Sequence, residues 1–426
     1  MQRQQATYHV ENTEIFKMQM LNWASQFSIC CFMDSHFYED KYHSFDCLLA
    51  VNAVQVFSPS KNILTQLDEF YNNANDWIFG HLNYDLKNEI ENLQSKKTNQ
   101  INFPDIFLFR PQIVIALNKN IVEISFLDIN SNDIFEAITK TEIENKVPLK
   151  STNKINAATS EPEYLATIEN LKKHILRGDC YEINFCQEFF IESADINPLE
   201  TYIHLLKISP SPFSCFYKLH DKYLLCASPE RFLSKYDQTI FSQPIKGTAA
   251  RNKDDSLDMM QKQNLYNSPK EKSENVMVVD LVRNDLSKIC KEGSVITNEL
   301  FGIYSFPQVH QMISTISGTL RDEILFSEII KAVFPMGSMT GAPKHRVMQL
   351  IEQYETTKRG LFSGSVGYIT PQKNFDFNVV IRSIFYNEDN KYLNYFVGSG
   401  ITIYADAESE YKECRLKASA IEKVLS

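Results

Sequence analysis

A lysine between a Pro-Ile and a Gly-Thr pair, two pairs of glutamates and one glutamate after a proline stand out as side chains that could do chemistry. Lys246 lies in Gln243-Pro244-Ile245-Lys246-Gly247-Thr248. Proline restrains the entering backbone, and glycine lets the chain turn or lets a ligand come close. An amine held this way can act as a covalent nucleophile if its pKa is lowered. An ordinary loop lysine in water fits the same six residues, so the segment alone leaves both readings open.

The glutamates suggest a second kind of chemistry. Glu271 and Glu274 are three apart, as are Glu410 and Glu413, and residues at i and i+3 share a helix face. Two such pairs facing one cleft would offer four hard oxygen donors, the type Mg²⁺ prefers. Glutamates at this spacing also line the wet side of most helices. The first pair stands apart because it leads directly into Asn275 to Val282, a run too continuously apolar for a surface helix. Lys417, four after Glu413, could pair with it or reach a bound anion. Glu230, in Ser228-Pro229-Glu230-Arg231, could serve as a general acid if its surroundings raise its pKa, or could pair with Arg231. Arg382 comes after the apolar run Val379-Val380-Ile381, and its fork suits a carboxylate, either a ligand's or the protein's own.

Three glycine segments could supply backbone donors: Pro335 to Lys344, Gly364 to Tyr368, and Gly398-Ser399-Gly400. The first leads into a helix, where free N–H groups and the dipole favour an anion. None matches a Walker A loop or a dinucleotide fingerprint, so no nucleotide site is predicted.

These side chains need elements to bring them together. Periodicity predicts a helix over 161–177, opened by a capping box from Ser160 to Glu163. Further helices are expected over 63–75, 86–94, 273–283, 322–334, 344–355 and from 407 onward. Strands are expected over 46–57, 112–126, 180–191, 213–219, 222–227, 239–244, 364–370, 377–386 and 392–403. The polar stretch 145–160 lacks periodicity and reads as a surface connection. Strands broken by helices without regular alternation indicate an α+β fold. The chain divides into an N-terminal part, 1–150, and a larger region, 161–426.

Composition narrows the function. With 43% hydrophobic and 23% charged residues, the chain is globular. A net charge of -10 without a basic block argues against nucleic acid. The N-terminus has no secretory pattern, and no apolar run is long enough for a membrane helix. The nine cysteines include no CxxC pair and read as reduced thiols in a cytoplasmic protein.

Taken together and in order, the segments resemble the chorismate-utilising enzymes. The resemblance rests on GDCYEINF (178–185), SPERFL (228–233), PIKGT (244–248), SENVMVVDLVRNDL (273–286), FPQVHQMIST (306–315), FPMGSMTGAPK (334–344), GSVGY (364–368), VVIRS (379–383), GSGI (398–401) and EYKE (410–413). It is strong over 161–426 and weak around Trp77 to Asp85. It implies two large antiparallel sheets packed as a sandwich, helices outside, and chorismate in a central cleft. Members that make anthranilate carry alanine where this chain has Lys246, whereas members that make 4-amino-4-deoxychorismate carry lysine. The resemblance therefore implies amination at C4 through a covalent Lys246 intermediate, for p-aminobenzoate and folate synthesis; anthranilate formation is the alternative.

It also implies roles. Glu230 would be the general acid. Glu271, Glu274, Glu410 and Glu413 would bind Mg²⁺, and Lys417 would lie near the ring carboxylate. Tyr368, Arg382, Gly398, Ser399 and Gly400 would surround the pyruvyl carboxylate, and Thr248 and His310 would line the centre. Ammonia would come from a separate glutamine amidotransferase subunit. Two positions depart from the pattern: Glu182 stands where water-using members carry lysine and many ammonia-using members glutamine, and Met336 replaces a glycine.

Overall fold

The computed structural model describes residues 3–36, 38, 45–143, 154–306 and 309–425. Most of the connection expected at 145–160 lies outside these residues. Among them are 20 strands, joined by antiparallel ladders into one continuous hydrogen-bonded network, and 11 α-helices.

The network folds over into two layers. Long strand Ile106–Asn118 connects them: its first residues pair with Ile78–Leu82, and the rest with Cys47–Phe57 and Ile121–Phe126. A register shift between Ala53 and Gln55 puts a bulge in its partner Cys47–Phe57, where the ladder bends. The expected sandwich is thus two layers of one continuous sheet.

Strand alternation builds two cores. Cys31 and Leu224 point inward, with Leu48, Phe79, Tyr217, Leu233, Phe377 and Phe396. Their chain neighbours Cys30, Phe32 and Leu225 point outward, under helices Thr13–Ser25, Glu161–Leu176, Pro198–Ile208 and Ala407–Leu425. The strands between the cores are covered on both faces, which explains why they read as continuous apolar runs. The 161–176 helix starts as its sequence predicts, with Glu163 accepting from the Ser160 backbone N–H at 2.9 Å.

Several elements differ from expectation, and the strand expected at 112–126 is two, Ile106–Asn118 and Ile121–Phe126. The helix expected at 86–94 shrinks to Lys87–Ile90. Additional helices cover Thr13–Ser25, Ser131–Thr139, Pro198–Ile208 and Asp255–Asn267. The strand expected at 377–386 splits into Phe375–Asn378 and Ser383–Asn387. Within the gap, Val379 N–H donates to the Glu230 carbonyl at 3.0 Å and Val380 N–H to the Gly364 carbonyl at 2.9 Å. Arg382 takes a positive φ of 50° there. These amides brace the Glu230 corner instead of extending a ladder.

Candidate active site

The segments that carry the candidate residues surround one cavity of about 450 Å³. Strand Ile245–Ala250 supplies Lys246 and Thr248, and the corner between strands Lys222–Ser228 and Arg231–Tyr236 supplies Glu230. Helix Pro269–Ser287 contributes Glu271 and Glu274, and helix Ala407–Leu425 contributes Glu410, Glu413 and Lys417. Gly398, Ser399 and Gly400 come from strand Tyr392–Ile401, and Arg382 from the strand gap. Residues widely separated in sequence thus share one wall system because antiparallel strands carry them to the same end.

Lys246 is a strand residue here, paired into the sheet through Ile245↔Ile313 and Thr248↔Gln311. The register slips between those pairs, and Gly247 takes a φ of 90° at the slip. A side chain at 247 would also press on Glu271: its Cβ would lie 2.9 Å from the Glu271 Oε2. The amine of Lys246 donates to Glu182 Oε1 at 2.5 Å. Burial draws the Lys246 pKa down, but Glu182, Glu274 and Glu230 outweigh it and the pKa is raised.

Glu230 is 4% exposed. Burial pushes its carboxyl up to about 7, against the pull of Ser338, Lys246 and Arg382. A carboxyl near neutrality is half protonated at working pH, as a general acid requires. Burial also pushes Glu274 up to about 7, with Glu182 and Glu271 adding repulsion. Glu271 is raised by burial. For Glu413, burial pushes upward but Lys417, 2.7 Å away, lowers the pKa overall. Burial lowers Arg382, whose guanidinium has no ion-pair partner among the described residues.

The four glutamates line the cavity but do not converge. Among the described residues, no three acidic, His or Cys side chains gather at metal-binding spacing. Ser399 hydroxyl donates to Glu410, Lys417 holds Glu413, and Lys270 Nζ sits 3.9 Å from both Glu274 and Glu410. In donor type the set fits a hard divalent cation. Burial holds the Glu271 and Glu274 carboxyls up, and a bound cation would favour their charged forms.

Two expected residues lie elsewhere. Val309 and Gln311 line the cavity, so alternation turns His310 to the opposite face of its strand. There its ring lies 3.1 Å from Asp258 and 2.9 Å from Ser305. Tyr368 pairs across the sheet with Phe79 and Asp376, which draws its ring towards Phe45, Trp77 and Phe79. It lines a separate, smaller cavity with Met33, Ser35 and Pro212.

Residues 28–423 match the family described as chorismate binding enzyme. The chain belongs to that family. It is 33% identical to an aminodeoxychorismate synthase component 1 of Salmonella typhimurium over 80% of this chain and 75% of the relative. It is 30% identical to an anthranilate synthase component 1 of Neisseria gonorrhoeae, over 80% and 71%. The fold matches a crystal structure of anthranilate synthase component I from Streptococcus pneumoniae. The TM-score is 0.79 at 23% identity, over 90% of this chain and 93% of that one. The match to the chorismate binding enzymes starts well inside the N-terminal part, which the sequence linked only weakly to the family. The sheet gives the reason: strand Ile78–Leu82 pairs with Ser365–Ile369, and Ile29–Asp34 with Phe213–Leu219.

Sequence reasoning passed over Lys270, Asn184 and Ser338, which also line the cavity. Lys270 precedes Glu274 by four residues, so helical spacing already places it on the carboxylate face.

Proposed function

We propose that this protein aminates chorismate at C4, releasing 4-amino-4-deoxychorismate, with Lys246 as a covalent nucleophile. The observation that carries this reading is the Lys246 amine, held inside the cavity of a chorismate-binding family member with a near-neutral carboxyl, Glu230, across from it. The neutral amine attacks C2 of the ring, the double bond shifts, and the C4–O bond breaks. Glu230 gives the departing hydroxyl its proton, so water leaves. Ammonia then bonds to C4, and the C2–N bond breaks with its electrons returning to Lys246. The new C4 ammonium returns a proton to Glu230. Using two displacements directs nitrogen to C4 rather than C2.

Arg382 and the Gly398–Gly400 segment are suited to hold the pyruvyl carboxylate, and Lys417 the ring carboxylate. Glu271, Glu274, Glu410 and Glu413 would hold Mg²⁺, which when bound supplies positive charge against the substrate's carboxylate. Ammonia would come from a separate glutamine amidotransferase subunit, in keeping with a relative named as component 1. The product would feed p-aminobenzoate and folate synthesis.

Anthranilate formation is the second reading, favoured by the anthranilate synthase relative at 30% identity. Incubation with chorismate, Mg²⁺ and ammonium, with identification of the product, separates the two. Anthranilate as the main product would reject the proposal. Lys246→Ala should abolish both the 4-amino product and a chorismate-derived adduct detectable by intact mass.

A further inference from the structure

A lysine that attacks carbon must first lose a proton. Burial opposes the charge on Lys246, yet the surrounding carboxylates hold the proton on its amine, so the resting state is an ammonium. Among the described residues, three carboxylates from three elements face it. Glu182 opens strand Glu182–Ile191, Glu230 sits in the strand corner, and Glu274 lies on helix Pro269–Ser287. Only Glu182 touches the amine, at 2.5 Å.

Glu182 is built into this position. Its side chain is 3% exposed. Its backbone is held by pairing with Ala342, and that of its neighbour Ile183 by pairing with Gly341 and Ile401. Gly400 leaves the space that the ion pair fills: a Cβ there would lie 2.8 Å from Glu182 Oε1 and 2.9 Å from Lys246 Nζ. The second carboxylate oxygen, Oε2, is buried and has no hydrogen-bond partner. A carboxylate kept for structure alone is expected to satisfy both oxygens, because an unpaired buried acceptor is destabilising.

We infer that Glu182 is the base that takes the proton from Lys246 and returns it at the end of turnover. This rests on Lys246 being the nucleophile. The ammonium N–H bond breaks and an O–H bond forms on Glu182. The freed electron pair on Nζ then makes the bond to C2. When ammonia has added at C4 and the C2–N bond has broken, Lys246 is again a neutral amine. It takes the proton back from Glu182, and the ion pair is restored. Because the proton moves within the pair, no exchange with solvent is needed in a closed site.

The test compares wild type with Glu182→Gln and Glu182→Asp, tracking adduct formation by intact mass with chorismate and Mg²⁺ but no ammonia. Omitting ammonia removes its own titration from the profile. In the Gln variant, Lys246 must shed its proton to water, and the neutral fraction rises about tenfold per pH unit below the lysine pKa. The wild-type to Gln rate ratio should therefore fall as pH rises, from a deficit of about 10²-fold at pH 7, until the lysine of the variant is fully neutral. Titration of Glu230 is common to both proteins and cancels. Glu182→Asp should lower the rate while keeping the wild-type pH shape. A merely structural Glu182 would lower the rate by a factor that does not vary with pH, and that result would overturn the inference. If the Gln variant fails to fold by circular dichroism, the Asp variant decides, since a profile rising with pH relative to wild type would also overturn it. Absence of any Lys246 adduct in the wild type would instead reject the nucleophile reading on which the inference stands.

Discussion

Replacing Glu230 by glutamine should make this protein slower and, at neutral pH, more stable. The carboxyl is raised from an ordinary 4.5 to about 7, chiefly by burial. The folded chain therefore keeps a proton that the unfolded chain releases between those two values. Stability from this group is fully present below about pH 4.5 and is lost as pH rises to about 7. At about 1.4 kcal/mol per pH unit, that window is worth about 3 kcal/mol. Glutamine keeps the shape and cannot ionise, so the variant escapes the loss. Urea denaturation of both proteins at pH 5 and pH 8 measures the effect. The stability of Glu230→Gln relative to wild type should rise by about 2–3 kcal/mol across that interval. Adduct formation from chorismate should fall by about 10²–10⁴-fold through loss of the proton donor. A stability difference that stays constant from pH 5 to pH 8 would show that Glu230 carries no raised pKa, and the assignment of the general acid would fall with it.

Gly400→Ala should separate the Lys246–Glu182 pair, because the new methyl would lie under 3 Å from both partners; a folded variant still forming adduct at the wild-type rate would contradict that packing. Lys270→Met should destabilise the metal-free protein at pH 8 by no more than about 1 kcal/mol, since the lysine is more than half exposed and solvent screens it. The same change should steepen the dependence of stability on Mg²⁺, read as the rise in Tm on addition, because Glu274 and Glu410 lose their cationic neighbour. His310→Ala should lower Tm through the lost Asp258 and Ser305 contacts while leaving chorismate affinity within about twofold, as measured by calorimetry.

The sequence made the cavity residues legible where their chemistry was carried by spacing or by a glycine. Glu271 with Glu274, and Glu410 with Glu413, were readable from helical period alone. Lys246 was not assignable to a strand, because Pro244 and Gly247 read as turn residues while the ladder depends on Ile313 and Gln311, far along the chain. His310 was misplaced because a motif fixes position along a strand but not the face, which a single alternation reverses, and Tyr368 because no residue of its strand Ser365–Ile369 lines the cavity. The 255–267 helix escaped notice because Leu257, Met259 and Met260 remain exposed and leave no apolar stripe to read. Arg382 looked like the inside of a strand, and only the hydrogen bonds to Glu230 and Gly364 end the ladder before it.

Strand Tyr392–Ile401 lies between Glu182–Ile191 and Ser383–Asn387, and the helix after it closes the cavity with Glu410, Glu413 and Lys417. Synthesis proceeds from the N-terminus, so a growing chain presents Glu182–Ile191 with an unfilled edge until roughly two hundred further residues have been made. During that interval Lys246 and Glu182 exist without the glycine strand that packs over them. The cavity around Lys246 is thus closed last, and a chain stopped before residue 392 would leave the Glu182–Ile191 edge open and the cavity without Gly398–Gly400, Glu410, Glu413 and Lys417.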